Sequence, residues 1–244
     1  MYVNIYAIDN KLSTDKILSL SHVSLQLNTV LLISPNDKSI KITLDNILNK
    51  IKQNIQNGTT NIEKVKLIES YKSNFISKVL NMEKLEQNIT FGFMQKKIEK
   101  LDKYQVRLTY SKKINELKKS SSIVTKVMAI LAEEKALKML QIKYPNKTIN
   151  KKWIRKMISV KTYKSALTDE YYANIFYTYA YRNISTEEIK KYIDFLEEQH
   201  IQKFYSIISN SIEITILKDK NDLLKQFKDK ELLFIDHNKT QEPI

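Results

Sequence analysis

Glu197 and His200 stand three residues apart. That spacing lets one helix offer a carboxylate and an imidazole to a di-iron centre, which also needs a second Glu-x-x-His helix and two further glutamates. The other histidines, His22 and His237, have Ser19 and Phe234 at the matching position. The ligand set is incomplete, so Glu197 and His200 read as part of a solvated helix face, and no metal site is expected. Glu133 and Glu134 are adjacent. On a helix their side chains point about 100° apart, so they read as surface glutamates and not as a facing acid–base pair. The chain has no cysteine, which removes disulfides, thiolate zinc sites and cysteine nucleophiles. Its two glycines, Gly58 and Gly92, are isolated, so there is no Walker A loop, dinucleotide-binding loop or nucleophile elbow. No catalytic residue and no cofactor is expected.

The one local anomaly in the chain is electrostatic. Lys143, Lys147, Lys151, Lys152, Arg155, Lys156, Lys161 and Lys164 fall within 22 residues that contain no acid, and they supply eight of the net +14 charges. Tyr144, Trp153 and Tyr163 are interleaved, and Trp153 is the only tryptophan. A basic amphipathic stretch with a tryptophan suits an anionic membrane surface, a polysaccharide or the phosphates of nucleic acid. The bland alternative is a solvated lysine face with Trp153 anchoring the helix to the core. Lys152, Arg155 and Lys156 are spaced to lie together on a helix, with Lys151 one step round. Of the 41 basic residues only Arg107, Arg155 and Arg182 are arginine. Arginine's fork bonds two acceptors at once, so this chain is poorly suited to sequence-specific nucleic-acid readout. Lysine, asparagine and isoleucine, the residues of AT-rich codons, are all abundant, so genome composition bias is the alternative source of much of the basicity. Six rings between 171 and 181 (Tyr171, Tyr172, Phe176, Tyr177, Tyr179, Tyr181) read as core packing with hydroxyls reaching the surface, or as a stacking platform for bases.

These residues must be held by helices. Helical periodicity, with so few glycines and only Pro35, Pro145 and Pro243, predicts an all-α fold, a bundle-like array of about seven to nine amphipathic helices. A first helix runs from Ser13 or Thr14 to Pro35, and a second ends at Asn57-Gly58. Thr60 and Glu63 have capping-box spacing and open a third helix towards Leu80. A charged segment over 81–119 is interrupted by Ser120, Ser121 and Ser122. A helix from Ile123 stops at Tyr144-Pro145, a basic helix surrounds Trp153, and Thr168-Asp169-Glu170 opens an aromatic helix to Arg182. Ser185 and Glu188 form a second capping box. Behind it Ile189, Tyr192, Ile193, Leu196, Ile201, Phe204, Ile207 and Ile208 share one face of a single helix. A last helix follows from Asp219. A faint internal repeat lays 80–91 over 184–195, with Glu83/Glu187, Ile89/Ile193 and Phe91/Phe195 identical. The expected organisation is an N-terminal segment 1–12, helical lobes over 13–119 and 123–236, and a flexible tail 237–244. Segment 1–12 reads as the end of a signal peptide, with Ala7 at the cleavage point, or as a frayed terminus. No apolar run reaches the roughly 18 residues of a membrane-spanning helix.

Ile184-Ser185-Thr186-Glu187-Glu188-Ile189, with Phe195, Leu196 and Glu197 and then Lys203, Phe204 and Tyr205, resembles the C-terminal motif of exported bacterial helical proteins of the domain of unknown function 2059 type. Residues 17–27 resemble that family's opening helix. The Ser-Pro and Gly of the motif are replaced here by Glu198, Gln199 and Ile201. The resemblance implies a helical, periplasmic or secreted protein and no particular activity. The leading expectation is therefore a non-enzymatic helical binding or scaffolding protein exported to the bacterial periplasm, with a protein partner plausible. The alternative is a cytosolic protein that binds nucleic acid non-specifically through the basic helix, and an enzyme of unrecognised type comes third.

Overall fold

The computed structural model describes residues 10–23, 27 and 38–212, and their side chains apart from those of 10–12, 38–40, 156 and 159–167. Helix takes up more than four fifths of the described residues, among which there is no strand. The helices are α1 (Asn10–Leu20), α2 (Lys38–Gly58), α3 (Asn61–Lys72), α4 (Asn74–Glu86), α5 (Phe91–Ile98), α6 (Tyr104–Lys118), α7 (Ser120–Lys143), α8 (Lys151–Ala180), α9 (Thr186–Glu197) and α10 (Gln199–Ser211). The all-α bundle is as the composition predicts. The predicted first helix ends at Leu20, where Ser21 and His22 form a turn with His22 left-handed at φ 54°; its residues 24–26 and 28–35, and the whole of the helix from Asp219, lie outside the described residues.

Both predicted capping boxes are formed. The Thr60 hydroxyl accepts from the Glu63 N–H at 3.2 Å, and the Glu63 carboxylate accepts from the Thr60 N–H at 2.7 Å. Ser185 and Glu188 repeat the exchange at 3.1 and 2.9 Å. Each box satisfies two backbone donors that a helix start leaves without a partner.

Elsewhere the boundaries differ from the sequence reading, for physical reasons. The predicted helix from Thr60 to Leu80 breaks at Ser73, whose extended ψ of 138° ends α3 and whose hydroxyl caps the Ile76 N–H at 3.3 Å. The predicted single helix behind Ser185 breaks at Glu198, where ψ is 133°. Conversely, the basic helix and the aromatic helix are one 30-residue helix, α8. Thr168-Asp169-Glu170 does not cap there, because the Asp169 carboxylate instead accepts from the Thr125 hydroxyl of α7 at 2.5 Å. With glycine this scarce, three left-handed positions among the described residues fall to other residue types: His22, Lys103 and Lys119, with φ between 53° and 56°. Lys119 closes α6 and starts α7, its N–H bonding back to Asn115 and Glu116.

α8 is the spine. It packs along α6 and α7 and against α5 and α4; α9 lies on α6, and α10 closes over α2 and α3. One apolar cluster runs from Ile17 to Ile212, taking Leu80, Ile114 and Leu117 from before the three serines and Ile123, Val127 and Tyr181 from after them. Ile189, Ile193, Leu196 and Phe204 are buried in it, with Lys190 and Glu197 exposed, as the periodicity predicts. Gly58 ends α2 where a β-carbon would stand 3.2 Å from the Ile207 side chain of α10. No described helix is long and apolar enough to cross a membrane.

Candidate functional site

α7 and α8 form an antiparallel hairpin whose connection is the basic segment. The fully buried residues of α7 stop at Ala129, and among the described side chains between Ile130 and Met157 only Ile154 is buried. At about 1.5 Å per residue, the 14 residues from Ala129 to Lys143 carry the hairpin end about 20 Å past the last buried residue of α7. The end is nonetheless well made. Pro145 cannot continue α7, so the helix stops at Tyr144, whose N–H reaches the Leu140 carbonyl at 2.8 Å. Lys147 N–H closes the turn on the Tyr144 carbonyl at 3.2 Å, and the Asn150 side chain caps α8 through the Trp153 N–H at 3.1 Å.

Of the nine candidate contact residues, Lys143, Lys147, Lys151, Lys152 and Arg155 are exposed and Trp153 is half-buried. The side chains of Lys156, Lys161 and Lys164 lie outside the described ones. Lys143 and Lys147 hold their ammonium groups 5.4 and 5.8 Å from the centre of the Tyr144 ring. Arg155 is engaged within the hairpin: its Nε donates to Glu133 Oε1 at 2.8 Å. Glu133 is accordingly only 13% exposed at its side chain, which corrects its reading as a surface glutamate, and the exposed Glu134 accepts from Thr43 of α2. Lys151 and Lys152 sit in the first turn of α8, which has no acid. That is the positive end of the helix dipole, where basic side chains are unfavourable.

The spacing of the lysines read the anomaly too narrowly. The acid-free run extends back to Lys135 and forward to Thr168, and it holds ten basic residues, leaving +4 for the rest of the chain. Among the described side chains, two exposed large apolar ones also belong to it, Met139 at 61% and Ile142 at 74%. Their signal in the sequence is that they share a helical face with Lys135, Lys138 and Lys143 instead of with the inward Leu137 and Leu140.

Two other clusters were candidates for chemistry. Deep in the core, Lys118 Nζ lies 2.5 Å from Glu83 Oε2, both side chains almost wholly buried. Tyr181 and Tyr192 donate to the other Glu83 oxygen at 2.5 and 3.2 Å, and the Lys118 ammonium stands 5.1 Å from the Tyr177 ring centre. Burial, and then the charge of Glu83, hold both donating phenols well above the usual tyrosine range. Burial also pushes Tyr205 up to about 12. This network is closed to solvent and does structural work. Its one sequence trace is Glu83 in the faint repeat, yet its counterpart Glu187 is exposed. Three of the six clustered rings (Tyr177, Tyr179, Tyr181) are core; Tyr171 and Tyr172 are exposed, packed edge-on against Phe91.

The second cluster is a cleft of about 340 Å3 lined by Asp15, Ser19, His22, Leu48, Lys52 and Lys84 among others. Lys52 pairs with Asp15 at 2.8 Å. His22 Nδ1 lies 3.2 Å from the Leu80 carbonyl, which can only accept, so Nδ1 carries the proton. Burial lowers the pKa of His22 and also that of His200. His200 is not on a solvated face: it is buried, with Nε2 3.0 Å from the Ser70 hydroxyl, while Glu197 turns to Lys113 at 3.1 Å. Among the described residues no group of His, Asp or Glu side chains could hold a metal ion.

Comparison with family models, curated proteins and solved structures gives no match.

Proposed function

We propose that this chain is a non-enzymatic helical binding protein that docks on an anionic surface through the end of the α7–α8 hairpin. The observation that carries the reading is the ten-residue basic set in an acid-free run, with Lys143, Lys147, Lys151 and Lys152 exposed around one turn, beyond the buried part of α7. Lys151 and Lys152 gain nothing from lying at a helix N-terminus; an anion opposite them offsets that cost. The body supplies rigidity, and no catalytic set is part of the reading. The family resemblance supports an exported, periplasmic setting, in which the hairpin end would face lipid or polysaccharide.

The test is retention on immobilised heparin. A variant with Lys143, Lys147, Lys151 and Lys152 all changed to Gln is expected to elute at clearly lower salt, with an unchanged far-ultraviolet spectrum. Elution at the parent's salt concentration, with the fold intact, would overturn the reading.

A further inference from the structure

We infer that the surface is an anionic lipid bilayer, into which Met139 and Ile142 insert while the lysines around them meet the headgroups. The inference rests on the proposed function and names its ligand class.

Helical spacing places Lys135, Lys138, Met139, Ile142 and Lys143 on one face of the last two turns of α7. All five are exposed. Other large apolar side chains are exposed on the body, among them Ile42, Ile62 and Leu85, but isolated cases are ordinary on any protein surface. Met139 and Ile142 differ in being one turn apart, at the free end of a hairpin, and ringed by cations with no acid. Aliphatic side chains flanked by lysines match the acyl–headgroup boundary, where apolar groups leave water and ammonium groups stay with phosphates.

The same residues fit nucleic acid poorly. Binding single strands without sequence preference relies on open aromatic faces for base stacking. Here Tyr144 is half-buried, with the Lys143 and Lys147 ammonium groups close to its ring, and Trp153 is half-buried. Duplex phosphates have no use for two exposed aliphatic side chains, and Arg155, the only arginine of the segment, already binds Glu133.

The experiment compares two full-length variants, Met139→Ser with Ile142→Ser, and the four-lysine Gln variant. Each is measured for co-sedimentation with phosphatidylcholine vesicles, with and without phosphatidylglycerol, and for binding to heparin and to a single-stranded oligonucleotide. The parent is expected to sediment only with the vesicles that contain phosphatidylglycerol. Each neutralised lysine should weaken that binding about fivefold, the equivalent of about 1 kcal/mol. The serine variant should lose vesicle binding at least tenfold and keep its heparin binding. If the serine variant binds vesicles like the parent while the lysine variant fails on vesicles and heparin alike, the lipid inference is overturned and the anionic-surface reading stands. Oligonucleotide binding tighter than vesicle binding, and indifferent to the serines, also overturns it. If neither variant changes any binding, both the inference and the reading beneath it fail. Far-ultraviolet spectra of both variants confirm the fold; neither set of side chains reaches the core.

Discussion

The centre of the bundle and the end of the α7–α8 hairpin both concentrate charge, and they treat it in opposite ways. At the centre a single lysine, Lys118, is tied to a single glutamate, Glu83, and two phenols complete the carboxylate's hydrogen bonding. At the hairpin end the cations are many, exposed and without an acid in the run. A buried charge survives only with a partner, since desolvation otherwise costs several kcal/mol. An exposed charge needs none, so its clustering is not dictated by folding. On the proposed function the first arrangement serves stability and the second binding, and substitutions at the two sites should separate those properties.

The largest effect is expected at the centre. Lys118→Met leaves Glu83 buried without its counter-charge and should destabilise the protein by about 3–5 kcal/mol in urea unfolding. Replacing Glu83 with Leu in the same variant should recover much of that loss. A single-variant loss under about 1 kcal/mol, the scale of an ordinary surface change, would show that the pair is not truly desolvated. Phe204→Ala, which empties a fully buried site between Tyr71 and Tyr205, should cost about 3–5 kcal/mol. Met139→Ser and Ile142→Ser at the hairpin should each stay within about 0.5 kcal/mol of the parent.

How much of this contrast could be read from the sequence follows from range. The helical class, both capping boxes and the buried face around Phe204 depend on residues three or four apart, and all were legible. The break at Glu198 was not, because Glu198, Gln199 and His200 carry no glycine or proline to mark it. Nor was the continuity of α8, because Asp169 finds its partner on α7, 44 residues away in sequence. The Glu83–Lys118 pair was hidden for the same reason: two ordinary surface residue types meet across 35 positions. At the hairpin the lysines announced themselves, whereas the exposure of Met139 and Ile142 depends on which face of α7 packs inward.

Acid should sharpen the comparison further. Burial lowers the pKa of His22 and His200 in the folded state, so the unfolded chain takes up protons first as pH falls. Their contribution is fully present above about 6.5, the unfolded value, and is lost as pH drops through the folded values. Urea midpoints should therefore fall between pH 7.5 and pH 5.5, and changing both histidines to Gln should flatten the slope. The hairpin end contains no histidine, so binding to phosphatidylglycerol vesicles should be the same at both pH values.

A small gain in stability is expected at the junction of α6 and α7. Lys119 occupies a left-handed conformation between α6 and α7 with φ 53°. Glycine adopts that region without steric cost, so Lys119→Gly should raise stability by about 0.5–1 kcal/mol in the same urea assay, leaving vesicle binding unchanged. A loss of stability would mean that the lysine side chain contributes more than its backbone strain costs.

The most direct measurement of the central claim is amide hydrogen exchange on the full chain, with and without vesicles containing phosphatidylglycerol. Slower exchange confined to residues 135–155 is the predicted result, with no change around Glu83 and Lys118 or over 189–208. Unchanged exchange at 135–155 under conditions where the protein is vesicle-bound, or slowing spread evenly through the bundle, would contradict it.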